Sequence, residues 1–306
     1  MSNVLRFGLA AVLIAGSFHV QAALPAGTAL CDIMDVQVTS YQKQNGSGLI
    51  TLDPTIPASA CLGAYEGNDA NASSQGIGDN LGYDTHGFLN DKSLFADYGA
   101  FIAESEMQDL EFEGNFKDPG WIYVGKRDVE NNEYDAGVVK KGDASYTFTS
   151  DILTMQNCKD KDGDATSCGA DAVSGEWVYK PPQFNPALLL DLLGMDKFFD
   201  QVAVVFKSGT QYAIYNFKLS DFGLPPVLGT MDANYIFTGT WDMSDTLLME
   251  KNCKKNEVGP CYSSPGLSHV SLWLRDPTTA QVQVPEPATI AILGLGLLGL
   301  RLRRKH

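Results

Sequence analysis

Two consecutive segments of the chain, QVAVVFKS (201–208) and QYAIYNFKL (211–219), are rich in β-branched and aromatic residues and are separated by only two residues. Such segments are typical of β-strands, because branched and aromatic side chains pack well on a pleated surface. The separating pair, Gly209 and Thr210, is a turn signal, since glycine readily adopts the positive φ of a two-residue hairpin. The sequence therefore predicts an antiparallel hairpin, and the rest of the chain has to supply a sheet around it.

Further segments of the same character occur along the chain, and helical patterns are few. The strand-like segments are DIMDVQVTSY (32–41), LEFEGNF (110–116), WIYVGK (121–126), SYTFTSDI (145–152), EWVYK (176–180), YIFTGTW (235–241) and HVSLWLR (269–275). One helix is predicted at 185–199, where Asn185 is a suitable N-cap, and a weaker one at 91–106. The predicted fold is all-β, an antiparallel β-sandwich or jelly roll with one or two short helices.

Both ends of the chain carry targeting patterns rather than folding patterns. At residues 1–22, Arg6 precedes an apolar stretch, and Val20-Gln21-Ala22 is a small-residue cleavage site. This order is that of a secretory signal peptide. The predicted organisation is a signal peptide at 1–22, a β-sandwich ectodomain at 23–283 and a sorting segment at 284–306.

The segment 284–306 contains Pro285-Glu286-Pro287, then an apolar run at 288–300, then a basic tail. GLGLLG (294–299) matches the letters of a dinucleotide-binding fingerprint, but the βαβ unit that this fingerprint requires is not present around it. An apolar helix with a basic flank instead predicts a single membrane helix. Its 13 residues span about 20 Å against a hydrocarbon core of about 30 Å, so we expect a transient anchor.

Charge and cysteine content narrow the partners and the compartment. The formal net charge is −15, which argues against nucleic acid as a partner because phosphate binding needs basic patches. The six cysteines lie outside both terminal segments, and an even number favours disulfides in an exported chain. Proximity in the sequence favours Cys158–Cys168 and Cys253–Cys261, which leaves Cys31–Cys61 as the third pair. A zinc site is not expected, since the sequence has no C-x-x-C pair.

The loop CKDKDGDATSC (158–168) carries three carboxylates at alternate positions: Asp160, Asp162 and Asp164. Calcium binds several oxygens from one tight loop. The EF-hand pattern is not met, because Ala165 replaces the glycine of the sixth position and Asp171 replaces the glutamate of the twelfth. A solvated acidic turn is therefore the favoured interpretation. A Ca²⁺ site at these three aspartates is the alternative, and no other cofactor is expected.

The sequence gives little support to catalysis. Between the terminal segments the histidines are His86 and His269, and neither G-x-S-x-G nor H-E-x-x-H occurs. Ser268 adjoins His269, but neighbouring strand residues point to opposite faces, so we expect no dyad. Carboxylates at 104–113, among them Glu111 and Glu113, are spaced closely enough for a glycosidase, although acids on a solvent face are ordinary in an acidic protein. We therefore expect a protein that is not an enzyme, with a secreted glycosidase as an alternative.

Two features suit ligand binding as well as structure. The loop GNDAN (67–71) is rich in oxygen, but its Asn and Asp residues also form turns with their own backbone. The four tryptophans are Trp121, Trp177, Trp241 and Trp273. Aromatic faces stack on sugar rings, whereas the hydrophobic neighbours of these residues favour core packing. A carbohydrate-binding, lectin-like module, with or without a requirement for Ca²⁺, is thus the first alternative, ahead of the secreted glycosidase.

The C-terminal segment resembles a PEP-CTERM sorting signal, on the residues Val284-Pro285-Glu286-Pro287 followed by the apolar run and the basic tail. Parts of the body resemble exported proteins that carry this signal. These parts are ACLGAYEGNDAN (60–71), GWIYVGKRD (120–128), AVVFKSGTQYAIYNF (203–217), FTGTW (237–241) and LSHVSLWLR (267–275). The resemblance implies a temporary tether in the inner membrane that an exosortase processes near the PEP motif.

The same resemblance indicates where the protein acts. Its family is associated with bacteria that make exopolysaccharide and with biofilm matrices. We therefore expect an exported, non-enzymatic protein of the cell surface or extracellular matrix. Its expected partners are an exosortase, the inner membrane for a limited time, and exopolysaccharide.

Overall fold

The structure is a computed structural model, and it describes a defined part of the chain. The described residues are 30–44, 46, 48–67, 69, 87–91, 94–95, 99–107, 120–129, 133–141, 144–181, 199, 201–222, 235–251 and 261–275. The predicted signal peptide (1–22) and sorting segment (284–306) lie outside them. So do residues 185–198 of the predicted helix (185–199), the predicted strand LEFEGNF (110–116), and His86.

Nearly all regular structure in the described residues is β. The strands are β1 (Val36–Lys43), β2 (Ile50–Pro57), β3 (Ala60–Glu66), β4 (Ile122–Asp128), β5 (Tyr134–Ala136), β6 (Val138–Lys141), β7 (Ala144–Thr147), β8 (Leu153–Lys159), β9 (Ser174–Tyr179), β10 (Gln201–Ser208), β11 (Gln211–Lys218), β12 (Tyr235–Asp242), β13 (Met249–Lys251), β14 (Cys261–Ser263) and β15 (His269–Arg275). Helix is limited there to 3-10 turns at Ile33–Asp35, Phe88–Asn90, Glu104–Glu106 and Leu219–Phe222. The predicted all-β class is confirmed at this level.

The strands form two antiparallel sheets. The first has the order β2-β1-β12-β9-β8, and the second has the order β3-β11-β10-β15-β4-β5. Two small ribbons, β6-β7 and β13-β14, accompany them. Every strand pair is antiparallel.

The predicted hairpin lies at the centre of the second sheet. Ser208 and Gln211 are directly paired, so the loop is the expected Gly209-Thr210 turn, with Gly209 at φ 53°. Most of β10 and β11 is buried, rather than alternating between core and solvent. This happens because both faces of these strands are covered.

One face of the second sheet packs against the first sheet. The shared core contains Val38, Trp241 and Phe237 from the first sheet, and Phe206, Tyr215 and Leu272 from the second. Phe206 stacks on Trp241 with ring centroids 5.6 Å apart. Burial of apolar side chains at about 25 cal/mol per Å² makes this interface the main source of stability.

The other face of the second sheet is covered by the described residues of a segment at 87–107 (87–91, 94–95 and 99–107), and these residues form no strand. Phe88, Leu89 and Ile102 of this segment pack against Val205, Ile214 and Trp273 of the sheet. The weak helix predicted at 91–106 is not formed by the described residues, which contain turns and the 3-10 helix Glu104–Glu106. The described apolar residues of this range, among them Ala100 and Ile102, instead pack on the sheet from turns and a 3-10 helix.

Two other differences from the sequence prediction have physical causes. SYTFTSDI (145–152) is not one strand: β7 ends at Thr147, a turn follows in which the amide of Ile152 donates to Thr149, and β8 then begins. The strands β2 and β3 were not predicted, because β2 contains Pro54 and β3 contains Gly63. Both strands are sheet edges, where missing donors and irregular pairing are tolerated.

Candidate functional site

Arg275 is the last described residue before the sorting motif, and the structure shows which contacts hold it. Arg275 ends β15 and is fully buried. Its Nη1 donates to Oε2 of Glu106 at 2.7 Å and to Oε1 of Gln201 at 2.9 Å. The motif residues Pro285, Glu286 and Pro287 lie outside the described residues, ten positions further along the chain. The sorting segment therefore follows closely on a strand end that is held by a buried ion pair.

Glu106 is the best-placed carboxylate of the predicted acidic cluster, and its environment keeps it ionised. Burial by itself raises its pKa, but the hydrogen bond and charge of Arg275, the charge of Lys218 and the amide of Ala103 together hold its pKa below the ordinary value. A glycosidase acid needs the opposite shift. Glu104 is exposed in the same turn. The other cluster members, Asp109, Glu111 and Glu113, lie outside the described residues.

Two of the predicted disulfides are present. Cys31–Cys61 joins the segment before β1 to edge strand β3, and Cys158–Cys168 closes the acidic loop after β8. Cys261 is also disulfide-bonded, and its predicted partner, Cys253, lies outside the described residues. Disulfides persist in oxidising compartments, so this bonding agrees with export.

The first carboxylate of the acidic loop, that of Asp160, holds the loop backbone through hydrogen bonds. Asp160 Oδ1 accepts the amides of Asp162 at 2.9 Å and Asp164 at 3.0 Å. The carboxylate of Asp162 pairs with Lys161 on the surface. Among the described residues, no three acid, histidine or cysteine side chains are grouped to hold a metal ion. The Ca²⁺ role of Asp160, Asp162 and Asp164 stays a prediction.

The structure brings together a hydrogen-bonded pair that the sequence did not predict. Nε2 of His269, at the start of β15, lies 2.8 Å from both carboxylate oxygens of Asp69. Both side chains are largely buried, and the two residues are 200 positions apart. Lys207 is the cross-strand partner of His269 and is also buried. Burial lowers the pKa of Lys207, and the charge of Asp69 opposes that shift.

A histidine held by an aspartate is the orienting half of an acid–base catalyst, which also needs a nucleophile. Ser268 does not supply one, since its Oγ accepts the amide of Gly209 at 3.2 Å. Within the described part of the chain, Asp69 is the hydrogen-bond partner that His269 has. The hydrogen bonds of this pair therefore attach Asp69 to the second sheet.

The four tryptophans are all core residues. Their exposed fractions are 1% for Trp121, 5% for Trp177, 1% for Trp241 and 1% for Trp273. Trp121 Nε1 donates to the carbonyl of Ala100 at 2.7 Å, which holds the covering segment to the sheet. A side chain with so little exposed area does not offer a stacking platform for a sugar ring, so core packing is their role.

Comparison with known proteins identifies the C-terminal segment. Residues 283–305 match the family model of the PEP-CTERM protein-sorting motif. The C-terminal segment thus carries this sorting motif, which is consistent with an exosortase substrate. Searches of the curated proteins and of the solved structures gave no match.

The motif implies a route through the cell envelope. It implies export, transient membrane anchoring and processing by an exosortase, a membrane protease, before release to the cell surface or the outside. In the described residues, which exclude the motif itself, no helix is long and apolar enough to cross a membrane. The membrane helix predicted at 284–306 lies outside those residues.

Proposed function

We propose that this protein is a non-enzymatic component of the cell surface or extracellular matrix, delivered there by exosortase processing of its C-terminal segment. The sorting motif at 283–305 is the observation that carries the proposal. The disulfides Cys31–Cys61 and Cys158–Cys168 support it, because a protein that works outside the cytoplasm benefits from covalent links that survive there.

The described domain supports a structural role over a catalytic one. The tryptophans are packed in the core, and Glu106 is engaged by Arg275 rather than presented to a substrate. The net charge of −15 keeps such a domain soluble at high local concentration. In this proposal the folded domain stays soluble at the cell surface and binds matrix material there.

The proposal is tested by substitution of Pro285, Glu286 and Pro287 together with alanine. The variant should stay uncleaved and in the membrane fraction, whereas the parent chain appears in the surface or extracellular fraction. Pro277→Ala, upstream of the motif, is the matched control and should be released normally. Normal release of the triple variant would overturn exosortase processing.

The matrix assignment needs a separate measurement. Released protein should co-sediment with the extracellular matrix of the producing cells and be recovered from it only by disruption of the matrix. Recovery of the protein solely as a free soluble species in the medium would contradict a matrix role and leave the export route intact.

A further inference from the structure

A polar cleft lies beside the disulfide-closed loop, between that loop and the turn that precedes β15. Its volume is about 360 Å³, in the range of small-ligand sites. One wall is formed by Asp160, Lys161 and Thr166, and the other by Ser263 and Ser264. The described residues that complete the lining are Asp171, Val173, Pro265 and Gly266.

The walls of the cleft are held by the fold. The Cys158–Cys168 disulfide and the hydrogen bond from the amide of Thr166 to the carbonyl of Cys158 close the loop wall. On the opposite wall, Ser208 Oγ donates to the carbonyl of Gly266, and this serine is buried in β10. A site whose walls are fixed in advance binds with less loss of conformational entropy.

Gly266 explains how the two walls come together. Its φ is +81°, and a Cβ at this position would lie 1.7 Å from the carbonyl oxygen of Ala170. Only glycine permits this approach of one backbone to the other. The amide of Leu267 then donates to Ala172 at 2.9 Å, which joins the turn to the segment that carries Asp171.

The chemistry of the lining is that of a site for hydroxyl groups. Asp171 is exposed, and Thr166 and Ser263 are half-buried. An ionised carboxylate accepts hydrogen bonds only, while the serine and threonine hydroxyls both donate and accept. Pro265 is exposed and adds apolar surface, against which the C–H face of a sugar can pack, while Val173 is buried at the base of the lining. A negatively charged ligand is disfavoured, because the carboxylates outnumber the single lysine, Lys161, which is already paired with Asp162.

We propose that this cleft binds a neutral, hydroxyl-rich saccharide chain, with Asp171, Thr166 and Ser263 as its hydrogen-bonding residues. The proposal rests on the surface-or-matrix function and names the material that the domain holds. The acidic loop then contributes a wall of the cleft, and its carboxylates accept hydrogen bonds from ligand hydroxyls.

The test uses the processed protein released by the producing cells, with its disulfides intact. Binding is measured by isothermal calorimetry against a panel of neutral polysaccharides that includes the neutral exopolysaccharide of those cells, with an anionic polysaccharide for comparison. Asp171→Asn should weaken saturable binding about tenfold, since a hydrogen bond to a charged group contributes that much, and Ser263→Ala should weaken it by a smaller factor, since the serine hydroxyl is uncharged. Asp245→Asn removes an exposed carboxylate outside the cleft and should leave binding unchanged.

The outcomes separate this proposal from the proposed function. Absence of saturable binding to every neutral polysaccharide, or equal weakening by Asp245→Asn, would overturn the saccharide site. Binding that a chelator abolishes would overturn it too, in favour of a cation site. A normal melting temperature shows that each variant is folded. Asp171→Asn should be processed and exported like the parent chain, so loss of export would count against the sorting account and not against the cleft.

Discussion

The fully buried Arg275 and the half-buried Glu106 form an ion pair that fastens the last described strand to the segment covering the second sheet. The Nη1–Oε2 distance is 2.7 Å, and Arg275 has no exposed surface. Removal of one partner of such a pair leaves an uncompensated charge in the interior, which destabilises by about 3 kcal/mol or more.

Glu106→Gln should therefore lower the free energy of unfolding by about 3 kcal/mol, measured by urea denaturation. Glu104→Gln, in the same 3-10 turn but exposed, is the matched control and should change it by less than about 0.5 kcal/mol. Equal effects of the two substitutions would show that the ion pair does not hold the covering segment.

The same pair predicts a dependence of stability on pH. The pKa of Glu106 is lowered in the folded state: burial raises it, but Arg275, Lys218 and the Ala103 amide outweigh burial. A depressed carboxyl pKa adds stability that is present above the unfolded value and is lost as pH falls through the folded one. The parent chain should lose stability below about pH 4 more steeply than Glu106→Gln does. If the melting temperatures of the parent chain and of Glu106→Gln fell in parallel from pH 7 to pH 2, this prediction would be contradicted.

The two described disulfides should differ in how much each adds to the free energy of unfolding. Cys31–Cys61 closes a loop of sequence separation 30, and Cys158–Cys168 one of separation 10. In the chain-entropy description these contribute about 3.6 and about 2.7 kcal/mol. Replacement of the first pair by serines should therefore destabilise by about 1 kcal/mol more than replacement of the second. A reversed order, measured by urea denaturation, would show that native-state packing around Cys158 outweighs loop length.

Asp35 organises a part-buried hydrogen-bond network just before the start of β1. It accepts hydrogen bonds from Tyr215 at 2.7 Å, Thr246 at 2.6 Å and the amide of Asp32 at 3.0 Å. Tyr215 is fully buried, and burial together with Asp35 raises its pKa, so its hydroxyl stays protonated and donating.

Tyr215→Phe should lower the free energy of unfolding by about 1 kcal/mol, because one donor is lost and Asp35 keeps the other two. Asp35→Ala should lower it by about 2–3 kcal/mol, since the hydroxyls of Tyr215 and Thr246 lose this carboxylate and Tyr215 keeps only the weak contact with Met243 Sδ at 3.6 Å. In the Asp35→Ala background, Tyr215→Phe should then have no cost. The double-mutant cycle checks this, and additive effects would argue against the network.

Local features of the fold were predictable from the sequence. The hairpin of β10 and β11 depends on Gly209-Thr210 and on neighbouring residues, so short-range patterns were enough. The edge strand β2 was not predictable, because Pro54 argues against a strand unless the edge position is known. The weak helix predicted at 91–106 was wrong for the described residues, because the sheet face on which they pack is assembled from strands distant in the sequence.

The candidate sites likewise combine local features, which the sequence shows, with long-range contacts, which it does not show. The Cys158–Cys168 loop stands out in the sequence, but the other wall of its cleft, at Ser263, is about a hundred residues away. The His269–Asp69 pair joins residues 200 positions apart. The signal that pointed to it was weak: a histidine at a strand start and an aspartate in a polar loop, neither with a local partner.

Exosortase processing is the central claim, and the mass of the released protein tests it most directly. Protein purified from the surface or extracellular fraction is digested, and its C-terminal peptide is identified by mass spectrometry. The account predicts a C-terminus at or near Pro285-Glu286-Pro287, without the apolar run at 288–300. Recovery of the intact segment through His306 on released protein would contradict it.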